Sequence, residues 1–341
     1  MVNLRKGSDR LVESGRVKFG RFDKPLRRTN LEDAAPWPPW PVPRWLRRLR
    51  LKEWQAFQIT HPRFFIIVAL FDAKFISLVQ MKLYDRESGK KYQLEKQLLP
   101  GAFRTPNTMR NSVCEWRKKD EWVRFENHLD EGFIAIDVRI AATQTAPAVN
   151  ARLHANTPTT DPMIVSIPFD QNRGMYSHKA LLPVTGTVRI GEESIPVYPK
   201  TASLMTDDHK GYYGRHMRWD WVVGAAWRDG SLQGFNLTHN ASIDPERYNE
   251  NGFWIDGKLH ALPPVSFERD EKQWRVRDRE DRVDLRFNIE VEGKLFQDYK
   301  LIESKYLGPF GTFEGTVRSL DDVELTVDGM FGMGERFWLK A

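Results

Sequence analysis

The sequence contains one cysteine, Cys114, so no intrachain disulfide can form, and we expect this thiol to be a small buried hydrophobe. It has no run of about 18 apolar residues, which excludes a helix that spans a membrane. Residues 1–6 also lack the apolar stretch of a secretory signal. The expected location is therefore the cytoplasm.

Several sequence motifs of known chemistry are also missing. The eight histidines show neither HxH nor HExxH spacing, so we expect no dedicated metal site. No Walker loop, GxSxG elbow or GxGxxG is present, and we expect no bound cofactor. Long amphipathic helices are scarce. The absence of a repeat of 20–50 residues disfavours solenoids and propellers.

The positive charge of the chain is concentrated at its N-terminus. The net charge is +6, and residues 1–60 hold 14 Lys/Arg against 6 Asp/Glu, which leaves −2 for the remaining residues. A protein that grips nucleic acid carries its basic surface more often on the folded body. We therefore expect no nucleic-acid partner.

Residues 1–50 are predicted to form an irregular arm rich in Pro, Trp and Arg. Residues 36–43 must be extended, because proline fixes φ and removes hydrogen-bond donors. Residues 44–51 read as a short basic helix or as the entry to a strand. One hypothesis is that the arm is an interfacial anchor, peripheral to the inner membrane. The alternative is that it packs its tryptophans on its own barrel and leaves its arginines in solvent.

Beyond the arm, the pattern predicts antiparallel β-structure. Residues 53–60 alternate polar and apolar at period two, and similar runs follow to the end of the chain. Asp229-Gly230 and Asp256-Gly257 are typical hairpin sequences. We expect residues 141–162, rich in Ala, Thr, Asn and Pro, to be a surface excursion. The prediction is an all-β protein with two tandem barrels or bent sandwiches, one at 51–180 and one at 181–341.

The chain resembles a bacterial family known only as a domain of unknown function. The similarity covers nearly the full length and rests on these residues: Gly15, Gly20, Pro25 and Asn30 in the arm, Lys52-Glu53-Trp54, Trp219-Asp220-Trp221, and Val327-Asp328-Gly329 with Gly332 and Glu335. The second half is more distantly similar to carotenoid hydratase (hydroxyneurosporene synthase) and AttH-like proteins. That resemblance implies two lipocalin-like (calycin) barrels and an isoprenoid substrate that is hydrated or cyclised.

An aromatic segment from residue 210 to residue 227 carries the first candidate site. His216 could transfer a proton near pH 7, and it is one of two candidate catalytic residues. Tyr212, Tyr213, Trp219 and Trp221 are candidate ligand-binding residues, because aromatic faces stabilise cations. In a strand, Trp219 and Trp221 share one face, which fits both core packing and the lining of a cavity.

A second polar cluster lies between Tyr248 and Trp254. Glu250 is the other candidate catalytic residue, because a buried carboxyl has a raised pKa and can protonate an alkene. Asn249 and Trp254 are further candidate ligand-binding residues. We expect Asp208, His209 and Lys210 to lie on a solvated loop.

The sequence supports two functions that use one pocket. In the first, the protein binds a lipid- or isoprenoid-like molecule in a β-barrel pocket, at the domain interface or in the second barrel. It then performs cofactor-free acid–base hydration, isomerisation or cyclisation. In the alternative, the protein is a non-catalytic lipid carrier or sensor whose arm, residues 1–50, touches a membrane.

Overall fold

The computed structural model describes residues 4–5, 9–35, 43–158, 160–298 and 303–340. These residues are almost entirely strand. Their helical parts are a short 3₁₀ helix, Leu31–Asp33, and the five-residue helix α1, Arg44–Arg48. Across these ranges, no helix has the length and hydrophobicity needed to cross a membrane.

The strands up to Tyr212 form one large curled sheet, apart from a small separate pair. That pair is β2 (Val12–Glu13) with β3 (Arg16–Val17). The strands of the sheet are β1 (Leu4–Arg5), β4 (Gly20–Phe22), β5 (Leu51–Thr60), β6 (Phe64–Asp72), β7 (Ser77–Asp85), β8 (Lys90–Leu98), β9 (Ser112–Lys118), β10 (Glu121–His128), β11 (Phe133–Ile140), β12 (Val149–Asn156), β13 (Met163–Pro168), β14 (Gly174–Lys179), β15 (Leu181–Ile190), β16 (Glu193–Val197) and β17 (Ser203–Tyr212).

Strand β17 is the centre of this first sheet. It pairs with β5 along one edge, and with β14 and β15 along different parts of the other edge. From β5 the sheet continues through β6 and β7 to β8, and from β15 it continues through β12, β11 and β10 to β9. A side branch runs from β14 through β13 and β4 to β1.

The remaining strands form the second curled sheet. They are β18 (His216–Arg228), β19 (Ser231–His239), β20 (Gly252–Ile255), β21 (Lys258–Ala261), β22 (Ser266–Arg269), β23 (Gln273–Arg277), β24 (Val283–Val291), β25 (Lys294–Asp298), β26 (Glu303–Leu307), β27 (Phe310–Arg318), β28 (Glu324–Thr326) and β29 (Met330–Lys340). The main order is β21-β20-β19-β18-β29-β27-β24-β23-β22, with β26 also paired to β29.

The predicted all-β fold is confirmed: the two curled sheets form tandem lipocalin-like barrels. Each encloses its own hydrophobic core, around Phe57 and Phe125 in the first and around Phe235 and Phe313 in the second. A third cluster joins the outer faces of the two sheets and includes Phe65. Strand alternation explains these layers, because successive side chains point to opposite faces of a sheet.

Two expectations about the first sheet are corrected by the structure. The stretch 141–162 is not only a surface excursion, because Val149–Asn156 forms β12 between β11 and β15. Asp208, His209 and Lys210 do not lie on a solvated loop, because they belong to the buried strand β17. This strand continues the first sheet to Tyr212.

Two hairpin turns form where the sequence predicted them. Asp229 and Gly230 have φ of 50° and 79°, and Asp256 and Gly257 have φ of 48° and 80°. Both positions of such a two-residue turn need positive φ, which Asp and Gly tolerate. The turns join β18 to β19 and β20 to β21.

The described part of the arm packs against the first barrel. Strand β4 pairs with β13, and Leu11, Leu26 and Leu31 are buried. Helix α1 is less covered, since Trp45 is 68% exposed. The extended segment predicted at residues 36–43 lies outside the described residues except for Pro43. Cys114 is buried, as expected.

A buried ionic network links β5 to β17 on the barrel side of the first sheet. The Lys210 ammonium lies 2.5 Å from Glu53 Oε1, and its side chain is 1% exposed. Lys74 also contacts Glu53. Burial by itself would raise the pKa of Glu53, but the two ammonium groups outweigh it and lower the pKa to about 2.

We predict that Glu53→Gln destabilises the protein by about 3–5 kcal/mol at pH 7, because it leaves a buried ammonium without its counter-charge. A lowered carboxyl pKa stabilises the fold above the unfolded value, and the gain disappears as the pH falls towards the folded value. The difference between wild type and variant should therefore shrink as the pH falls from about 4.5 towards about 2. Urea denaturation at pH 7, 4 and 3 measures it.

The matched control is Glu192→Gln, which removes an exposed partner of Arg189 and should change stability by less than about 0.5 kcal/mol. Equal stability losses in the two variants, or a loss in Glu53→Gln that does not change with pH, would contradict the role given to the buried network.

Candidate functional site

A cavity of about 480 Å³ lies between the outer faces of the two sheets. It is bounded by β5 to β8, β14 and β17 on the first barrel, and by β18, β19, β26 and β29 on the second. Each barrel interior holds its own hydrophobic core. This cavity is at the interface of the two barrels, one of the two places that the sequence left open.

Strand register builds the first wall of the cavity as rows of side chains. Because opposed residues on neighbouring strands point to the same face, one row crosses five strands. That row is Asp207, Ala56, Ala69, Gln80 and Glu95. The parallel row two residues away is His209, Trp54, Phe71, Leu78 and Gln97. Ala56 and Ala69, in the middle of the first row, have small side chains and so leave room for the cavity.

The second wall follows the same rule and is mainly aromatic. Trp219 opposes Phe337, which in turn opposes Tyr306 on β26. Trp221 opposes Glu335 on one side and Thr238 on the other. All of these residues line the cavity. An apolar chamber with a few fixed polar groups is typical of a small-molecule site.

Two carboxylates and one ammonium group meet at one end of the cavity. Lys179 Nζ lies 2.5 Å from Asp207 Oδ1 and 3.8 Å from Glu250 Oε2. Asp207 Oδ2 also accepts a hydrogen bond from Trp54 Nε1 at 3.2 Å. The other Glu250 oxygen accepts one from Asn240 Nδ2 at 3.3 Å. We call Asp207, Lys179 and Glu250 the carboxylate cluster.

The pKa values of Glu250 and Lys179 are both raised in this cluster. Burial raises the pKa of Glu250, and the attraction of Lys179 only partly opposes this, while Asp207 adds to it. Burial would lower the pKa of Lys179, but its two carboxylate neighbours outweigh burial and raise it. The cluster therefore favours a proton on Glu250 and a positive charge on Lys179.

His209 lines the cavity beside the carboxylate cluster. Its imidazole stacks on Trp54 with ring centroids 3.7 Å apart and planes 6° apart, and its Nε2 lies 2.8 Å from the Tyr213 hydroxyl. Burial, reinforced by Lys179 and Lys210, lowers the pKa of His209 well below its usual value. Burial raises the pKa of Tyr213. Both groups are neutral at physiological pH.

Lys82 lies on β7, three strands from Asp207 on β17. With Tyr306 and Glu335 it forms a second polar group, which we call the lysine cluster. Lys82 donates a hydrogen bond to the Tyr306 hydroxyl. Glu335 Oε1 accepts one from Trp219 Nε1 at 2.6 Å. Burial lowers the pKa of Lys82 to about 8, against the attraction of Glu335 and Glu95. All three residues line the same cavity.

The structure brings four of the candidate residues from the sequence into this cavity: Tyr213, Trp219, Trp221 and Glu250. His216 is exposed and stacks near Trp338 at a centroid distance of 6.1 Å, outside the cavity lining. Its distance from the site has a simple cause, because β18 carries it beyond the wall formed by Trp219 and Trp221.

Three predicted ligand-binding residues also lie outside the cavity lining. Tyr212 points to the opposite face of β17 and packs with the arm. Trp254 is fully buried between the sheets, where its Nε1 donates to the Asp161 carbonyl at 2.8 Å. Asn249 accepts a hydrogen bond from Arg21 Nη2 at 2.9 Å, and the same guanidinium donates to the Asn251 carbonyl at 2.9 Å. Asn249 thus supports the loop that carries Glu250.

Sequence reasoning missed Asp207, Lys179 and Lys82, and it expected His209 on a solvated loop. Asp207 and His209 lie in the polar run 206–210, which shows no alternation and reads as a loop. A signal was nevertheless present, because this run contains neither glycine nor proline, the usual residues of turns. In the part of the chain that the structure describes, no group of three His, Cys, Asp or Glu side chains is placed to hold a metal ion.

Comparison with known proteins places the chain in a family. No curated protein matches it in sequence. Among solved structures, kievitone hydratase from Nectria haematococca has the same fold, with a TM-score of 0.52 and 11% sequence identity over 85% of this chain and 89% of that one. The family model described as "Domain of unknown function (DUF2804)" matches residues 2–340. The resemblance noted in the sequence is thereby confirmed, and the chain belongs to the DUF2804 family.

Proposed function

We propose that the protein binds a hydrophobic, isoprenoid- or lipid-like molecule in the cavity between its sheets and hydrates a carbon–carbon double bond of that molecule without a cofactor. The observation that carries this proposal is the carboxylate cluster at the end of an aromatic chamber. An acid, a base and a cation-stabilising wall are the groups that acid-catalysed hydration requires. The shared fold with kievitone hydratase favours hydration over isomerisation or cyclisation.

In this mechanism Glu250 is the acid. Its raised pKa favours the protonated carboxyl, which can transfer its proton to one alkene carbon and leave a carbocation at the other. The rings of Trp219, Trp221 and Trp54 line the chamber where that charge develops. The Trp221 ring already faces a cation, since Lys179 Nζ lies 5.6 Å from its centroid.

Asp207 is the base in the second half of the reaction. Water attacks the carbocation, a carbon–oxygen bond forms, and the released proton passes to Asp207. Lys179 lies between the two carboxylates and can return a proton to Glu250, which closes the cycle. The product is an alcohol. Because His216 lies outside the cavity, this mechanism gives it no role in proton transfer.

We predict that the neutral dye N-phenyl-1-naphthylamine binds the purified protein with an increase in its fluorescence. Ala69→Phe fills the middle of the chamber wall and should weaken this binding at least about tenfold. Ala142→Phe makes the same change on an exposed loop and should leave the affinity unaltered. If both variants bind the dye like wild type, the cavity is not the ligand site.

We predict that the protein, incubated with a cell lipid extract in heavy-oxygen water, produces an isotope-labelled alcohol that mass spectrometry detects. Glu250→Gln should lower the yield at least about 100-fold, because the acid is lost. Dye binding should remain. The wild-type rate should fall as the pH rises through the raised pKa of Glu250, since only the protonated acid is active.

The same incubation distinguishes an enzyme from a carrier. His216→Ala is the matched control, since it changes a titratable residue of the aromatic segment outside the cavity, and it should keep the full yield. Retained dye binding with no labelled product from any extract would refute the hydration mechanism and favour a non-catalytic carrier.

Contact with a membrane through the arm is a second proposal, favoured by the exposure of helix α1. Trp45, Leu46 and Leu49 are exposed at 68%, 43% and 40%. We expect the protein to co-sediment with vesicles that contain about one third phosphatidylglycerol, and Trp45→Ala to halve the bound fraction at least. Equal sedimentation of wild type and variant, or none with wild type, would count against this contact.

A further inference from the structure

The hydration mechanism gives no role to the residues of the lysine cluster. Among the described residues four lysines are buried, Lys52, Lys82, Lys179 and Lys210, and of these Lys82 and Lys179 line the cavity. Lys179 and Lys210 each lie 2.5 Å from a carboxylate oxygen. Within the described ranges, Lys82 has no carboxylate ion-pair partner, and its hydrogen-bond acceptor is the Tyr306 hydroxyl. Of the two lysines in the cavity wall, burial lowers the pKa of Lys82, whereas the carboxylate neighbours of Lys179 raise the pKa of Lys179.

Strand register directs this amine into the cavity. Lys82 stands opposite Ile67 on β6 and Gln93 on β8, and both of these residues also line the chamber. Along the sheet it lies three strands from Asp207, which corresponds to about 14 Å for an interstrand spacing of about 4.8 Å. The chamber therefore has an amine near one end and an acid–base pair near the other.

We propose that Lys82 forms an imine with the carbonyl group of a hydrophobic aldehyde or ketone bound in the cavity. This inference rests on the proposed function, because it uses the same ligand-binding cavity. It adds a carbonyl group to the expected ligand. A ligand that reaches from Lys82 to Glu250 would carry its carbonyl at one end and its reacting double bond towards the other.

Atoms and charge balance in this step. The neutral amine attacks the carbonyl carbon, a carbon–nitrogen bond forms, and a proton moves from nitrogen to oxygen. The oxygen then takes a second proton and leaves as water, which gives the protonated imine. Tyr306 stays a phenol, because burial and Glu335 raise its pKa well above the usual value, and it can pass these protons.

The state of Lys82 suits this role at neutral pH. With a pKa of about 8, about a tenth of the Lys82 side chains are neutral amines at pH 7. An ordinary exposed lysine has about four neutral molecules in ten thousand at the same pH. Burial in the chamber wall thus supplies the nucleophile that imine formation needs.

Reductive trapping tests the proposal. The protein is incubated with citral, an unsaturated aldehyde of ten carbons, and sodium cyanoborohydride at pH 7. Hydride reduces the imine to a stable secondary amine, and peptide mapping by mass spectrometry locates it. We expect labelling of Lys82 at least about tenfold faster than of any other lysine, and a loss of that labelling in Lys82→Met and Lys82→Arg.

Lys91 is the matched control for reactivity without the cavity. Burial, reinforced by Lys82, lowers its pKa to about 7. Its Nζ donates to the Glu292 and Gly308 carbonyls, and it is not part of the cavity lining. If labelling followed pKa alone, Lys91 would react first. Labelling of Lys91 ahead of Lys82, or an even spread over surface lysines, overturns the proposal.

Geraniol separates failure of this inference from failure of the proposed function. It has the carbon skeleton of citral but an alcohol in place of the aldehyde, and its binding is followed by quenching of tryptophan fluorescence. Geraniol should bind wild type and both Lys82 variants, which also shows that they are folded, and an excess should protect Lys82 from citral. Geraniol binding without trapping of Lys82 refutes the imine alone; no binding of either molecule refutes both proposals.

Discussion

The structure depends on strands that are buried on both faces. In β5, β6 and β7, alternate side chains fill the core of the first barrel, and the residues between them face the second barrel. Because the period of a strand is two, a shift of one residue would exchange the two sets completely. The cavity and the barrel core are therefore specified by the same register, and neither can change without the other.

Burial on both faces also explains the arrangement of charge around β17. Asp207 and His209 face the cavity, whereas Asp208 and Lys210 face the barrel interior. On the interior side Lys210 is neutralised by Glu53, and on the cavity side Asp207 is neutralised by Lys179. Burying a charge is costly unless it is paired, so each face needs its own counter-ion.

The fold was predictable from sequence to a large extent because alternation and turn residues are local signals. Strands such as β6 and β11 and the Asp-Gly hairpins follow them closely. The sequence did not predict strand β17, because its polar residues are paired with partners that are distant in sequence. Hydrophobic periodicity does not reveal such partners. Trp219 and Trp221 were correctly assigned to one face. What that face meets, however, depends on how two barrels pack, which no local pattern encodes.

The contact of Arg21 with the loop at Asn249 and Asn251 joins the N-terminal arm to the surroundings of Glu250. One guanidinium holds the residues on both sides of Glu250, although Arg21 and that loop are separated by more than 200 positions in the chain. The loop that carries Glu250 is thus held by β4, a strand of the first sheet that lies in the N-terminal arm. Removing the N-terminal arm as far as Arg21 would therefore change the surroundings of Glu250, even if the rest of both sheets stayed intact.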